Sequence, residues 1–334
     1  MNAQSARSVA VDAMSGDGGL EVALGGARLA LQHDDGLTLT LVGERTSIDA
    51  GVARWPDALR RRAGVAAAEH VLPMDVDTAR ALRQGRGSSM HQAIELVASG
   101  RAGAVVSGGN TGALMALSRQ RLGMLPGIER PALMAALPVP GGTVWVLDLG
   151  ANIGVDARRL LEFARLGHTA VRVLSERNPA IGLLNIGREP GKGPDVVREA
   201  ARLIAAEPEI DYYGFVEADQ VFAGQVDLVV CDGFAGNVLI KGAEGIVRLL
   251  FAELRRSVGR GALAWVIRRP MQRLHDRLDP ARHNGAPLLG LQGVVIKSHG
   301  GSCQRGFASA IGLAALEMRH KLVPKLEQAL WASY

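Results

Sequence analysis

Short apolar runs recur along this chain at 9–13, 37–42, 104–107, 143–148, 181–186 and 228–231, each closed by glycine, asparagine or aspartate and followed by a helix-like segment. A strand that is apolar throughout must be covered on both faces, and a helix after each strand supplies the cover. The alternation therefore predicts βαβ units around a largely parallel, Rossmann-like sheet. Helices are expected near 20–32, 88–100, 110–121, 156–176, 194–206, 236–258 and 303–333, with one more strand at 294–296. Neither a linker nor a repeat of fixed period interrupts the pattern, and alternating α/β folds often stay one unit at 334 residues, although length alone does not decide the domain count.

Composition excludes several classes. Hydrophobic residues make up 48% of the chain and aromatics only 4%, with 42 glycines, which suits Val/Ala/Leu strands joined by glycine turns rather than a disordered chain. A net charge of +5 without a like-charged arm or tail argues against nucleic acid as a partner. The positive charge is instead local, with eight arginines between Arg255 and Arg282. Cys231 and Cys303 are too few for a disulfide framework or a metal cluster, consistent with a reducing cytoplasm. The start of the chain lacks the long apolar region of a signal peptide, and no stretch approaches the ~18 apolar residues of a membrane span. Any membrane contact is then expected to be peripheral.

In an open parallel sheet, ligands bind beyond the carboxyl ends of the strands, where turns deliver polar side chains and helix N-termini deliver unpaired N–H groups. Four such turns combine small and polar residues: SGGNTGAL at 107–114, DLGAN at 148–152, DGFAGNVLIK at 232–241 and KSHGGS at 297–302. The first makes a phosphate cradle plausible, although a Gly-Asn turn also serves simply as a helix cap. The loop GREPGKGPD at 187–195 offers Arg188 and Lys192 to an anion, yet Lys192 precedes Gly193, so the P-loop pattern is not met. Asp12, Asp148 and Asp232 each close an apolar run and can orient a ligand or cap a turn. As metal ligands they are weak, and no metal is expected. His299 follows a strand inside a glycine turn, where it can serve as acid, base or oxyanion donor, or as a structural bond to a carbonyl. His70 and Asp75 match an H-x4-D spacing, but Pro73 interrupts it. Neither G-x-G-x-x-G in the first turn nor G-x-S-x-G anywhere is present, which leaves dehydrogenase and serine hydrolase readings unsupported.

Between 263 and 278, Leu263, Val266, Ile267, Met271, Leu274 and Leu278 recur at helical steps, with Arg268, Arg269, Arg273 and Arg277 between them and Trp265 on the same segment. That pattern is a basic amphipathic helix, expected to protrude within about 246–282. It suits an anionic membrane or an acidic protein, and equally a surface packed on its own domain or on a second copy.

Taken in order, DAMSGDGG, SSMHQAIELVASGRAGAVVSGGNTGALM, DLGANIGVD, GLLNIGREPGKG, VDLVVCDGFAGNVLIKGAEG and APLLGLQGVVIKSHG, from residue 12 to residue 300, resemble the motifs of the acyl-ACP:phosphate acyltransferases of bacterial phospholipid synthesis. The resemblance implies a single domain over residues 1–334, a three-layer α/β/α sandwich related to phosphotransacetylases and isocitrate-dehydrogenase-like enzymes. It implies a cytoplasmic homodimer at the inner face of the membrane, working without a cofactor. The implied partners are acyl carrier protein, inorganic phosphate and a membrane glycerol-3-phosphate acyltransferase. Carried over by position, it implies phosphate or substrate contacts from Asp12, Ser88, Ser89, Thr111, Asn152, Asp232 and Asn237, and N–H groups after Gly108 and Gly236 are expected to help hold the phosphate. Catalytic work is expected of Lys192, Lys241, His299 and Asn110. Membrane or carrier-protein contact is expected of Leu263, Trp265, Ile267, Arg268 and Arg269. Three departures stand out: Ser15 where a glycine is usual, Gly87 before the Ser-Ser-Met, and Cys303 in place of a small polar residue. Competing readings are a short-chain phosphate acetyltransferase using acyl-CoA and a non-catalytic membrane or carrier-protein scaffold.

Overall fold

The structure, a computed structural model, describes residues 7–258, 274 and 278–331. One eleven-stranded sheet runs through it, built from β1 (Ser8–Asp12), β2 (Thr38–Gly43), β3 (Ala63–Ala67), β4 (Ala104–Ser107), β5 (Ala132–Val139), β6 (Gly142–Leu147), β7 (Ala180–Leu184), β8 (Asp211–Val216), β9 (Leu228–Val230), β10 (Ala286–Leu289) and β11 (Val294–Lys297). The helices are α1 (Gly19–His33), α2 (Arg45–Val52), α3 (Asp57–Arg60), α4 (Thr78–Gln84), α5 (Ser89–Ala98), α6 (Thr111–Leu122), α7 (Ala157–Ser175), α8 (Asp195–Ala205), α9 (Ala218–Val221), α10 (Gly233–Val258), α11 (Gln304–Arg319) and α12 (Leu322–Trp331).

Strand order is β3-β2-β1-β4-β11-β10-β5-β6-β9-β7-β8. The first five strands are mutually parallel, and so are the last four. Between them, the β11–β10, β10–β5 and β5–β6 pairs are antiparallel, so the two parallel halves run in opposite directions. The seam is narrow. In β10, Ala286 and Pro287 pair with β11, and Leu288 and Leu289 with β5. The expected parallel character holds in each half; the antiparallel seam is the part that the βαβ rhythm did not contain.

Side-chain alternation along the strands divides the core into layers. Ala10, Val105, Val295, Leu133 and Val146 pack beneath α5, α6, α9 and α10. On the other face, Val11, Val106 and Ile296 meet α1, α2 and α11, and Met134, Leu147 and Leu183 meet α7, α8 and α12. This is the three-layer α/β/α sandwich. The expected 303–333 helix is two helices, because Lys321 adopts a left-handed φ of +53° that an α-helix cannot pass through.

Candidate active site

Three adjacent parallel strands, β1, β4 and β11, end on polar residues in one register: Asp12 faces Ser107, and Ser107 faces Lys297. All three are buried, Lys297 with only 8% of its surface exposed. They share a side of the sheet with Ala10, Val105 and Val295, the α5/α6 side. Ser107 Oγ donates to Asp12 Oδ2 at 2.7 Å and accepts from the Gly109 N–H at 3.1 Å. Lys297 Nζ donates to the carbonyl oxygen of Gly108 at 3.4 Å and to that of Ser298. Burial pushes the Lys297 ammonium down to about 8, against the pull of Asp17 and Asp12 and with further help from Lys241.

Above this row the three strand-end turns interlock. A Cβ on Gly16 would lie 3.2 Å from the Gly300 carbonyl oxygen and 3.4 Å from that of Gly108, and Gly16 has a φ of +96°. Glycine is needed there both for the backbone conformation and for the close approach of three chains. Ser15, the residue that departs from the usual glycine, is buried, and its hydroxyl has no hydrogen-bond partner among the described residues.

Of this row, Lys297 lines a cavity of about 440 Å³ spanning the seam between the halves. Its floor is β5, with Leu133, Ala135 and Leu137, and its roof is α10, with Ile240 and Val247. Lys241, Thr111, Asn237, Lys297 and His299 give it polar wall. Their positions on α10 follow from helical spacing, since Asn237, Ile240, Lys241, Glu244 and Val247 share a face. Lys241 bonds Glu244 at 3.0 Å and is half exposed. His299 is held by its own backbone N–H to Asn284 Oδ1 at 2.9 Å, and its Nδ1 accepts from the Gly301 N–H at 3.1 Å. Burial first, then Lys241 and Lys297, hold its imidazole below the ordinary histidine range. An accepting Nδ1 and a lowered pKa agree on a neutral ring carrying its proton on Nε2.

The other expected site residues have local structural duties. Ser88 caps α5 by accepting from the His91 N–H at 3.2 Å, and Ser89 is buried beside it with a hydroxyl unpartnered among the described residues. Asn110 caps α6 through Oδ1 to Ala113 at 2.9 Å and ties Nδ2 to the Met74 carbonyl at 2.7 Å, so its side chain is occupied at both ends. Asp232 accepts from the Gly154, Val155 and Phe234 N–H groups at 2.7–3.0 Å, folding the 148–155 loop onto the start of α10. Asn152 donates to the Pro131 carbonyl and to Asp148, while its Oδ1 is buried without a partner among the described residues. Gly236 is required by packing: a Cβ there would lie 2.1 Å from the Asp148 carbonyl oxygen, and its N–H is used by the Asp232 carbonyl.

Lys192 is exposed in the 187–193 loop and does not line the cavity. Leu263, Trp265, Ile267, Arg268 and Arg269 lie outside the described residues. Lys297 and Ser107 begin two of the turns singled out in the sequence but were assigned no role there. The available signal was a lysine closing the all-apolar run Val294–Lys297, since a charge at the buried end of a parallel strand needs a reason to be there.

No group of three or more potential metal ligands occurs among the described residues. Burial raises the Cys231 thiol far above its usual range, while Cys303 is exposed at the start of α11.

Known proteins share this sequence and fold. Residues 7–325 match the family described as "Fatty acid synthesis protein". A phosphate acyltransferase of Legionella pneumophila (strain Paris) is 44% identical over 321 residues, 95% of this chain and 94% of the relative. One from Pseudomonas putida is 44% identical over 330 residues, 98% of each. Among solved structures, a phosphotransacetylase from Streptococcus pyogenes superposes with a TM-score of 0.62 at 18% identity, covering 93% of this chain and 94% of the other. A 4-hydroxythreonine-4-phosphate dehydrogenase from Klebsiella pneumoniae gives 0.52 at 13% identity, covering 93% and 99%. These structures share the fold, and the near-full-length identity carries the assignment further: this chain belongs to the phosphate acyltransferase family and is an acyltransferase.

Proposed function

We propose that this enzyme reversibly transfers a long-chain fatty acyl group from acyl carrier protein to inorganic phosphate, forming the acyl phosphate used for phosphatidic acid and phospholipid synthesis. The observation that carries this reading is the two-sided cavity: an apolar floor and roof from β5 and α10, with cationic groups in its wall. An acyl tail and an anion meeting at a thioester need that pairing. Each buried methylene contributes about 0.8 kcal/mol. A dozen of them outweigh a single charge-assisted hydrogen bond of about 1.5–3 kcal/mol, so an apolar floor favours long chains over acetyl.

The chemistry needs no acyl-enzyme. An oxygen of monohydrogen phosphate attacks the thioester carbonyl, the carbon–oxygen bond forms, the carbon–sulfur bond breaks, and the phosphate proton ends on the released thiol. Lys241, half exposed at the mouth, recruits the phosphate; neutral His299 with its proton on Nε2 is a hydrogen-bond donor rather than a competing cation. The pull of a held anion and a held thioester into attack distance supplies much of the rate.

The partners proposed with this reaction are acyl carrier protein, a second copy of the chain, the inner face of the membrane, and a membrane glycerol-3-phosphate acyltransferase that consumes the product. The local excess of arginine supports an acidic partner. An apolar row on α10, Phe234, Val238, Ile246 and Leu249, each more than half exposed and turned away from the cavity, supports a protein or lipid cover.

The test is formation of labelled acyl phosphate from palmitoyl-ACP and labelled phosphate by the purified protein, beside acetyl-CoA as donor. Turnover with palmitoyl-ACP at least ~10-fold above acetyl-CoA supports the proposal. Preference for acetyl-CoA would replace it with short-chain phosphate acetyl transfer, and no acyl phosphate from either donor would overturn it.

A further inference from the structure

We infer that Lys297, fixed in register beside Ser107 and Asp12 at the ends of three adjacent parallel strands, is a catalytic residue that donates to the oxyanion formed at the thioester carbonyl. The inference rests on the acyl-transfer reading above and names a group that the resemblance to known motifs did not single out.

Among the described residues, Lys241 and Lys297 are cationic side chains that wall the cavity, and they differ in burial. Lys241 is half exposed and paired with Glu244, as suits a charge that meets phosphate arriving from water. Lys297 is almost wholly buried and has two backbone carbonyls, those of Gly108 and Ser298, as acceptors. An ammonium has three N–H donors, so one remains for substrate. The negative charge that develops on the carbonyl oxygen exists only during reaction. A preorganised donor in a water-poor site stabilises such a charge far better than an exposed one.

The row also explains how a buried ammonium is kept in place. Asp12 and Asp17 oppose the loss of its proton, Lys241 favours it, and His299 facing the same space stays neutral. Asp12 is held in turn by the Ser107 hydroxyl, so it is a positioning residue that acts through Lys297 rather than on substrate. In the step itself, the carbonyl π pair moves onto the oxygen as the phosphate–carbon bond forms. Lys297 shares a proton with that oxygen without transferring it. The pair returns as the carbon–sulfur bond breaks.

A donor of this kind acts only as the cation. With burial holding Lys297 near about 8, activity is expected to fall as pH rises through that value. Arginine keeps its charge far beyond that range. The experiment measures kcat and the phosphate KM with palmitoyl-ACP from about pH 6 to 10 for wild type, Lys297→Met, Lys297→Arg and Asp12→Asn.

Lys297→Met, folded as judged by an unchanged melting temperature, is expected to lose about 10²–10³ in kcat with the phosphate KM changed less than ~3-fold. In Lys297→Arg, part of the activity returns and the alkaline limb moves up by more than about one pH unit. In Asp12→Asn the limb moves down, since a neighbouring negative charge is gone.

A folded Lys297→Met enzyme with kcat within ~3-fold of wild type, or a loss confined to the phosphate KM, would overturn the assignment. If Lys297→Met does not fold, the limb positions in the arginine and Asp12→Asn variants decide, and limbs that stay near about 8 in both overturn it. Wild type that makes no acyl phosphate points instead to failure of the proposed reaction.

Discussion

Glu317 shows what burial does to a single residue outside the site. It lies in α11, 2% exposed, with one carboxyl oxygen unpartnered among the described residues, and burial raises it to about 8. Its folded pKa is above the unfolded value near 4.5, so the folded state keeps a proton that the unfolded state gives up. Stability therefore falls as pH rises from about 4.5 to about 8 and levels off beyond. Glu317→Gln is expected to melt within about 2 °C of wild type near pH 4.5 and at least ~5 °C higher near pH 8, as thermal denaturation followed by circular dichroism would show. An equal difference at both values would mean that ionisation is not the cause. The sequence could not single out this glutamate, because an acidic residue near the end of an amphipathic helix ordinarily faces water.

At the scale of elements, β5 lines the cavity proposed to take the acyl tail. Leu133, Ala135 and Leu137 alternate onto its floor, and Ala135, the small one, leaves the room. Ala135→Phe is expected to cut kcat/KM for palmitoyl-ACP at least ~10-fold while changing that for a four-carbon acyl donor less than ~3-fold. Steady-state kinetics across a chain-length series checks this. An equal loss for both would place the tail elsewhere. Strands β1, β2, β4, β6, β7, β9 and β11 were legible because strands covered on both faces read as mainly apolar runs. Strands β5 and β10 were not, because Pro138 and Pro287 lie within them and proline ordinarily argues against an interior strand. β3, AGVAA, was passed over because alanine and glycine give it little strand character. The site suffered accordingly: without the seam, the ends of β11 and the floor of β5 could not be brought together. Glycine turns were correctly seen as gathering at strand ends, but the sequence did not distinguish the capping asparagine at 110 or the exposed Lys192 from the groups that wall the cavity.

On the scale of the whole molecule, α10 has two unlike sides. One roofs the cavity, and the other exposes Phe234, Val238, Ile246 and Leu249. A row of this size is expected to be covered, and a second copy is the cover favoured by the proposed homodimer. Ile246→Glu combined with Leu249→Glu is expected to convert a dimer to a monomer in sedimentation velocity, with the melting temperature of each chain kept within about 5 °C. A variant that stays dimeric would place the subunit contact on another surface.

The register of Asp12, Ser107 and Lys297 also bears on how the protein is made. Its members are separated by most of the chain, and β11 must enter between β4 and β10 after the entire second half has been synthesised. A nascent chain can form β1, β2, β3 and β4 early. Until residue 297 leaves the ribosome, however, β4 presents an unpaired edge, a template for unwanted strand addition. Activity thus arrives only once β11 has been made, and chains cut short before residue 297 are inert fragments with an open sheet edge, natural targets for chaperones and proteases.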